Sequence, residues 1–306
     1  MRILRDPTLT EPCVLVLGMF DGVHRGHQEL LLRGRQLALK TGLPLYVCTF
    51  EPHPVAVLFP ERKPPRLTTQ AERAQLMQRY SVDALCVTSF TRTYAAIQPE
   101  DFVAQMAAIY QPRYVVSGFN YTFGDRGRGN VETLRQLQAQ YGYETVTVPE
   151  VVLEGDTVSS TRIRRLLTAG DLDAALRLLG HSYTMCGRVA HGKQIGRTMG
   201  FPTANIAVNA DKALPAFGVY ACLLTLRGDD HIHHAVVNVG RHPTLPEGKL
   251  TVEAHILDET LSLYGAEARL EFMSFRRPER TFACVDELQE QIARDAEDAR
   301  KFFGEI

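Results

Sequence analysis

Val14-Leu15-Val16-Leu17-Gly18-Met19-Phe20-Asp21-Gly22-Val23-His24-Arg25-Gly26-His27 runs from an unbroken apolar strand into a turn punctuated by glycines. An apolar run without polar alternation reads as a strand covered on both faces, as in a parallel sheet. A helical pattern, Gln28–Lys40, follows directly. The glycines at 18, 22 and 26 allow sharp turning and close approach of backbone to a ligand. The amides that open the helix favour an anion, phosphate above all. His24 and His27, three apart, are expected on one side of the turn, aimed at phosphate oxygens and at the charge developing on a leaving pyrophosphate. The competing readings are ordinary surface histidines or zinc ligands. Zinc needs further ligands, and no Cys-x-x-Cys pair supplies them.

Outward from this turn, the first 180 residues alternate strand and helix. Strands are expected at Val14–Gly18, Leu45–Phe50, Ala84–Thr88, Tyr114–Gly118 and Thr145–Val148. Helices are expected near Gln28–Lys40, Thr68–Arg79, Pro99–Tyr110 and Val131–Tyr141, then at Ser160–Leu167 and Leu172–Leu179, the last capped by Asp171 and stopped by Gly180. That order predicts a Rossmann-like parallel sheet with helices on both faces. Past His181 the helices drop out. Tyr183–Ala190, Gly218–Arg227, Ala235–Gly240, Leu250–Asp258 and Glu267–Phe275 read as strands of an antiparallel barrel or sandwich. A helix over Val285–Phe303 closes the chain, its acidic face read as solvated surface. The predicted domains are 1–180 and 181–306.

Composition narrows the function classes. A net charge of −1, with 45% apolar and 23% charged residues, describes an ordinary globular chain. It offers no field for nucleic acid or an anionic membrane. The six cysteines are scattered among apolar neighbours and read as free thiols of a reducing cytosol. Met1–Asp6 lacks the apolar core of a leader, and no window approaches the ~18 apolar residues of a membrane span. A cytoplasmic protein is expected. The nucleotide motif Gly-x4-Gly-Lys-[Ser/Thr] is absent, which excludes a P-loop kinase.

Three further motifs carry chemistry. Val158-Ser159-Ser160-Thr161-Arg162-Ile163-Arg164 puts hydroxyls at a helix start, with Arg164 one turn beyond Ser160 and Thr161, within reach of the same anion. In the second half, Gly187–Ile206 is dense in glycine and suggests a loop closing over a ligand. Thr203 and Asn205 there offer neutral oxygens suited to Mg²⁺. On Thr251–Asp258, alternation sets Glu253 and His255 against Val252, Ala254 and Ile256. By alternation alone the Glu253 face is solvated; a barrel interior holding that carboxylate would suit a general base. His231, His233 and His234 are read as surface residues, since no other ligand type clusters with them in sequence.

Gly18–His27 with Ser159–Arg164 resembles the HxGH nucleotidyltransferase superfamily. Thr49-Phe50-Glu51-Pro52-His53-Pro54 and Gly118-Phe119-Asn120-Tyr121-Thr122-Phe123-Gly124 resemble its FAD-synthetase branch, although that branch often has an acidic residue within the second segment and this chain has none. Gly200-Phe201-Pro202-Thr203-Ala204-Asn205-Ile206, Gly218-Val219-Tyr220, Asn238-Val239-Gly240 with Pro243-Thr244, and Glu253–Asp258 with Leu263-Tyr264-Gly265 are similar, in order, to riboflavin kinase. The resemblance implies an adenylyltransferase domain followed by a six-stranded kinase barrel with a terminal helix, taking riboflavin to FMN and FMN to FAD with ATP and Mg²⁺. It implies His24, His27 and Arg164 as catalytic groups of adenylyl transfer. Gly18, Phe20, Asp21, Gly26, Ser160, Thr161, Gly192 and Gly196 are implied at ATP, and Phe50, His53, Pro54, Asn120 and Phe123 at the flavin. In the kinase it implies Thr203 and Asn205 at Mg²⁺ and Glu253 as general base. Two other readings stand beside it: a nucleotidyltransferase with a different acceptor, such as nicotinamide mononucleotide, and a nucleotide-binding regulator without activity.

Overall fold

The computed structural model describes residues 1–9, 11–190, 201–229, 231–241, 250–259, 261 and 263–305. Contacts divide the chain into two compact units, Met1–Ser160 and Thr161–Ile306.

The first unit contains β1 (Arg2–Arg5), β2 (Cys13–Leu17), α1 (Arg25–Thr41), β3 (Leu45–Glu51), α2 (Pro54–Leu58), α3 (Gln70–Gln78), β4 (Ala84–Ser89), α4 (Arg92–Ala95), α5 (Pro99–Tyr110), β5 (Pro112–Gly118), α6 (Val131–Tyr141) and β6 (Glu144–Val148). A two-stranded ribbon, β7 (Val152–Leu153) with β8 (Asp156–Thr157), follows. The main sheet runs β1-β4-β3-β2-β5-β6 with every neighbouring pair parallel. The order reverses at β2: β3 and β4 lie to one side, β5 and β6 to the other. Such a reversal opens a crevice beyond the carboxyl ends of the strands, where doubly wound sheets bind ligands.

The apolar run of β2 serves two cores. Val14 and Val16 pack with Leu31 and Leu37 of α1 and Met77 of α3. Cys13, Leu15 and Leu17 pack on the opposite face with Phe102 and Met106 of α5 and Leu134 of α6. Contact with α1 is close enough to require a glycine at 34, where a Cβ would sit 2.6 Å from Val16 Cγ2 and 2.8 Å from Leu45 Cδ1. The expected strands and helices of this half are all present within a few residues. The edge strand β1 and the short helices α2 and α4 were not anticipated.

The second unit takes up α7 (Ser160–Ala169) from its second residue, then α8 (Leu172–Leu179), β9 (Tyr183–Ala190), β10 (Ala204–Val208), β11 (Gly218–Leu226), β12 (Ile232–Arg241), β13 (Leu250–Ile256), β14 (Glu267–Pro278) and α9 (Val285–Glu305). Asp171 caps α8 through Ala174 N (3.1 Å), and Gly180 ends it in the left-handed region at φ 73°. The strands close into a barrel in the order β10-β13-β12-β11-β14-β9, with every described pair antiparallel. Tyr183, Met185, Tyr220, Leu224, Val237, Ala254, Leu270 and Phe272 fill it, each fully buried or nearly so.

Contacts group α7 and α8 with the barrel: Ala216 N donates to Leu167 O (2.8 Å), and α8 lies against β14. One sequence expectation changes here. The acidic face of α9 is not simply solvated. Asp298 accepts two bonds from Arg276 (2.6 and 2.7 Å) and Asp295 two from Arg277 (2.8 and 2.6 Å). These paired forks fix α9 to β14, while Ala296 and Ala299 pack on Val219, Ala221 and Val236 of the barrel's outer face.

Candidate active sites

In the first unit the β2–α1 turn is built from buried polar contacts. Phe20 and Val23 hold positive φ (54° and 39°), and Gly22 lies at 86°. The Asp21 carboxylate accepts from Leu67 N (3.2 Å), Thr68 N (3.0 Å) and Thr68 Oγ1 (3.3 Å), while Gly22 N donates to that same hydroxyl (3.0 Å). From beneath, Arg73 Nη1 (2.9 Å) and Thr49 Oγ1 (3.1 Å) both donate to Met19 O. Arg73 is itself tied to Glu51 (3.6 Å), which forms a fork with Arg66. Phe20 and Asp21, both expected at ATP, therefore turn their side chains into the fold. They shape the turn and do not line the crevice.

His24 is the N-cap of α1, and His27 sits one turn on. Their rings stack at 3.7 Å and 19°, as their spacing predicts. A Cβ at Gly26 would lie 3.2 Å from the His24 ring, so glycine there leaves room for the stack. Burial holds the His27 imidazole well below its usual range, assisted by His24 and Arg73 beside it. Its Nδ1 is covered and lacks a hydrogen-bond partner among the described residues. The ring is thus neutral near pH 7 and can donate from one nitrogen only.

These histidines form one end of a cavity of about 950 Å³ beyond the carboxyl ends of the strands. Gly18, Gly26 and Ser160 line the same end, where Ser160 Oγ donates to Asp21 O (2.8 Å). First-turn amides of α1, which a helix leaves without intrahelical partners, lie at that end too. The other end is aromatic. Phe50 meets Phe90 (5.5 Å) and Tyr94 (5.6 Å), and Phe102 meets Phe123 (4.6 Å). His53, Pro54 and Asn120 also line the cavity. His53 caps α2, its Nδ1 accepting from Val55 N (3.2 Å). Phe90, Tyr94 and Phe102 were missed in the sequence, since they come from a loop and two separate helices. The arrangement can hold a polyanion against paired imidazoles while a flat apolar ring system stacks in the remainder. Thr161 and Arg164 lie on α7 in the second unit.

In the second unit, register assembles a polar row. Glu253 on β13 faces Asn205 of β10 on one side and Asn238 of β12 on the other. Directly opposed residues of antiparallel strands share a face. Asn238 in turn opposes Val219, and His255 opposes Val236, both on the outer face beneath α9. Glu253 is therefore outside the barrel and half-buried, while Val252, Ala254 and Ile256 fill the interior. An interior carboxylate is ruled out because that space is packed with apolar side chains. Thr203 precedes β10 on the same alternation as Asn205. His255 secures this approach: its Nδ1 lies 3.0 Å from Pro202 O, and its ring meets Phe201 edge-on at 5.4 Å. Gly192, Gly196, Pro243 and Thr244 lie outside the described residues.

Comparison with known proteins also gives two parts. The FAD synthetase family model matches residues 6–162, and the riboflavin kinase model matches 179–303. The bifunctional riboflavin kinase/FMN adenylyltransferase of Listeria monocytogenes is 38% identical over 295 residues, covering 96% of this chain and 93% of that protein. The chain belongs to the bifunctional riboflavin kinase/FMN adenylyltransferase family. It is a transferase with both activities of flavin cofactor synthesis, riboflavin to FMN and FMN to FAD. Its counterpart in Escherichia coli K12 is 35% identical over 96% of this chain and 94% of that one. A crystal structure from Streptococcus pneumoniae, described as a macrolide-efflux protein, superposes with a TM-score of 0.89 at 30% identity, covering 98% of this chain and 99% of that one. No helix among the described residues is long and apolar enough to cross a membrane.

Proposed function

We propose that FMN adenylylation takes place in the first unit's cavity and riboflavin phosphorylation on the outer Asn205–Glu253–Asn238 row. The observation that carries this reading is the cavity's polarity: stacked imidazoles and helix amides at one end, an aromatic box at the other. ATP phosphates suit the first and an isoalloxazine ring the second. FMN brings its own phosphate nucleophile, so the protein needs no covalent intermediate and no strong base. Neutral His27, together with His24, donates to the α–β bridging region as charge passes to pyrophosphate, with Ser160 assisting.

In the kinase, Glu253 accepts the proton of the ribityl 5′-hydroxyl as that oxygen attacks the γ-phosphorus of ATP and the β–γ bridging bond breaks to release ADP. The donors around it fit Mg²⁺: a hydroxyl, carboxamides and one carboxylate, all hard oxygens without thiol or imidazole. Thr203 and Asn205 would hold it, and it would supply neutralisation of phosphate charge. Free cysteines support a reducing, cytoplasmic setting. Cys13, Cys48, Cys86 and Cys222 are buried, and burial pushes their thiols up and away from reactivity.

The test separates the two reactions. Glu253→Gln abolishes FMN formation from riboflavin and spares adenylylation of supplied FMN, whereas His27→Ala does the reverse. Equal impairment of both activities by either substitution would overturn the assignment.

A further inference from the structure

A second polar cluster lies toward the other end of β12. His231 Nε2 is 3.3 Å and His233 Nδ1 is 3.2 Å from Glu259 carboxylate oxygens. One ligand-type atom from each of the three falls within 4.8 Å of the others. The sequence reading treated these histidines as isolated surface residues. His231 is indeed exposed, but His233 is only 3% exposed, and Glu259, far from them in sequence, converges on both. His233 lies opposite Leu224, which points into the barrel, so its ring closes the barrel end and is held in place by packing. His231 packs edge-on against it at 4.5 Å.

We propose that His231, His233 and Glu259 form a binding site for a divalent transition cation of the zinc class. Ligand bonds of about 2.0–2.2 Å in a tetrahedron set neighbouring donors about 3.3–3.5 Å apart. The two nitrogen–oxygen separations already have that length. Two borderline imidazoles with one carboxylate select zinc-like ions over Mg²⁺, which prefers oxygen alone. The set leaves a fourth position for water. One feature tempers affinity: with the cation on Nδ1, the His233 proton moves to Nε2, which is buried without a partner among the described residues. Micromolar rather than nanomolar binding is the expected result. Five residues of strand at about 3.3 Å each put His233 roughly 16 Å from Asn238. The cation therefore braces the barrel end and takes no part in phosphoryl transfer.

The test uses Co²⁺ as a visible probe on the full-length protein, stripped with a chelator and kept in excess Mg²⁺. Wild type gains one equivalent with the absorption of a tetrahedral site, displaced by Zn²⁺. His231→Ala and Glu259→Gln alter exposed side chains, so folding is retained, and each loses that equivalent while both flavin activities in Mg²⁺ are unchanged. Zn²⁺ raises the unfolding temperature of wild type and not of the variants. Identical Co²⁺ stoichiometry and affinity in wild type and both variants, or absence of a tetrahedral band in wild type, overturns the site and leaves a hydrogen-bonded cap.

Discussion

Replacing Asp21 by Asn should weaken the first unit without touching ATP directly. The carboxylate accepts at both oxygens, from Leu67 N on one and from Thr68 N and Oγ1 on the other. An amide can keep only one side. With its oxygen toward Thr68, its NH2 faces the Leu67 N–H, so a buried donor loses its partner and meets another donor. Losing one charge-assisted bond and stranding that donor costs about 2–4 kcal/mol. For a unit of this length, 1 kcal/mol shifts the midpoint by about 2–4 °C, so the first thermal transition should fall by roughly 5–15 °C. Calorimetry of the whole protein resolves this, with the barrel transition as internal reference. Below the transition, the KM for ATP in adenylyl transfer should change less than twofold, and FMN formation not at all. An unchanged transition with a sharply raised KM for ATP would refute the reasoning and return Asp21 to the ligand.

Two other outcomes follow from the same cavity. Because His27 is held below its usual pKa near 6.5, the unfolded chain binds a proton that the folded one refuses. Its contribution to stability is complete above about pH 6.5 and is lost as pH falls below that value. Urea midpoints of the first unit should therefore drop more steeply with acid in wild type than in His27→Gln; parallel curves would count against it. Tyr94→Ala opens the aromatic box beside Phe50 and Phe102. It should raise the KM for FMN at least tenfold while the KM for ATP and the kinase reaction hold steady, and an equal rise in both KM values would place the flavin elsewhere.

Legibility in the sequence followed the range of the physics. Val14–Leu17 and Val115–Val116 announced a sheet covered twice because both faces are apolar, a local property. Arg2-Ile3-Leu4-Arg5 did not announce β1, since a four-residue edge strand with charged ends has no such pattern. α2 and α4 are too short for a helical period to register. Alternation around Glu253 separated two faces and by itself put Glu253 on the outer one, and the α9 contacts at Val219 and Val236 agree. His24 and His27 were readable because three residues span one turn. The box of Phe90, Tyr94 and Phe102, and Glu259 meeting His231, join residues that only the fold makes neighbours.

The row Asn205–Glu253–Asn238 has one more consequence. Its members sit on three strands and meet only because hydrogen-bond register aligns them. Adding or deleting a single residue within β10, β12 or β13 beyond the row would invert which side chains face outward on that strand. Such a change would bury a carboxylate or carboxamide in the barrel and expose its filling. Length changes in the connections between strands should therefore be tolerated better than changes inside β10, β12 or β13. Grafts or chimaeras that preserve strand lengths and exchange whole connections should retain the row, whereas cuts placed inside a strand should not.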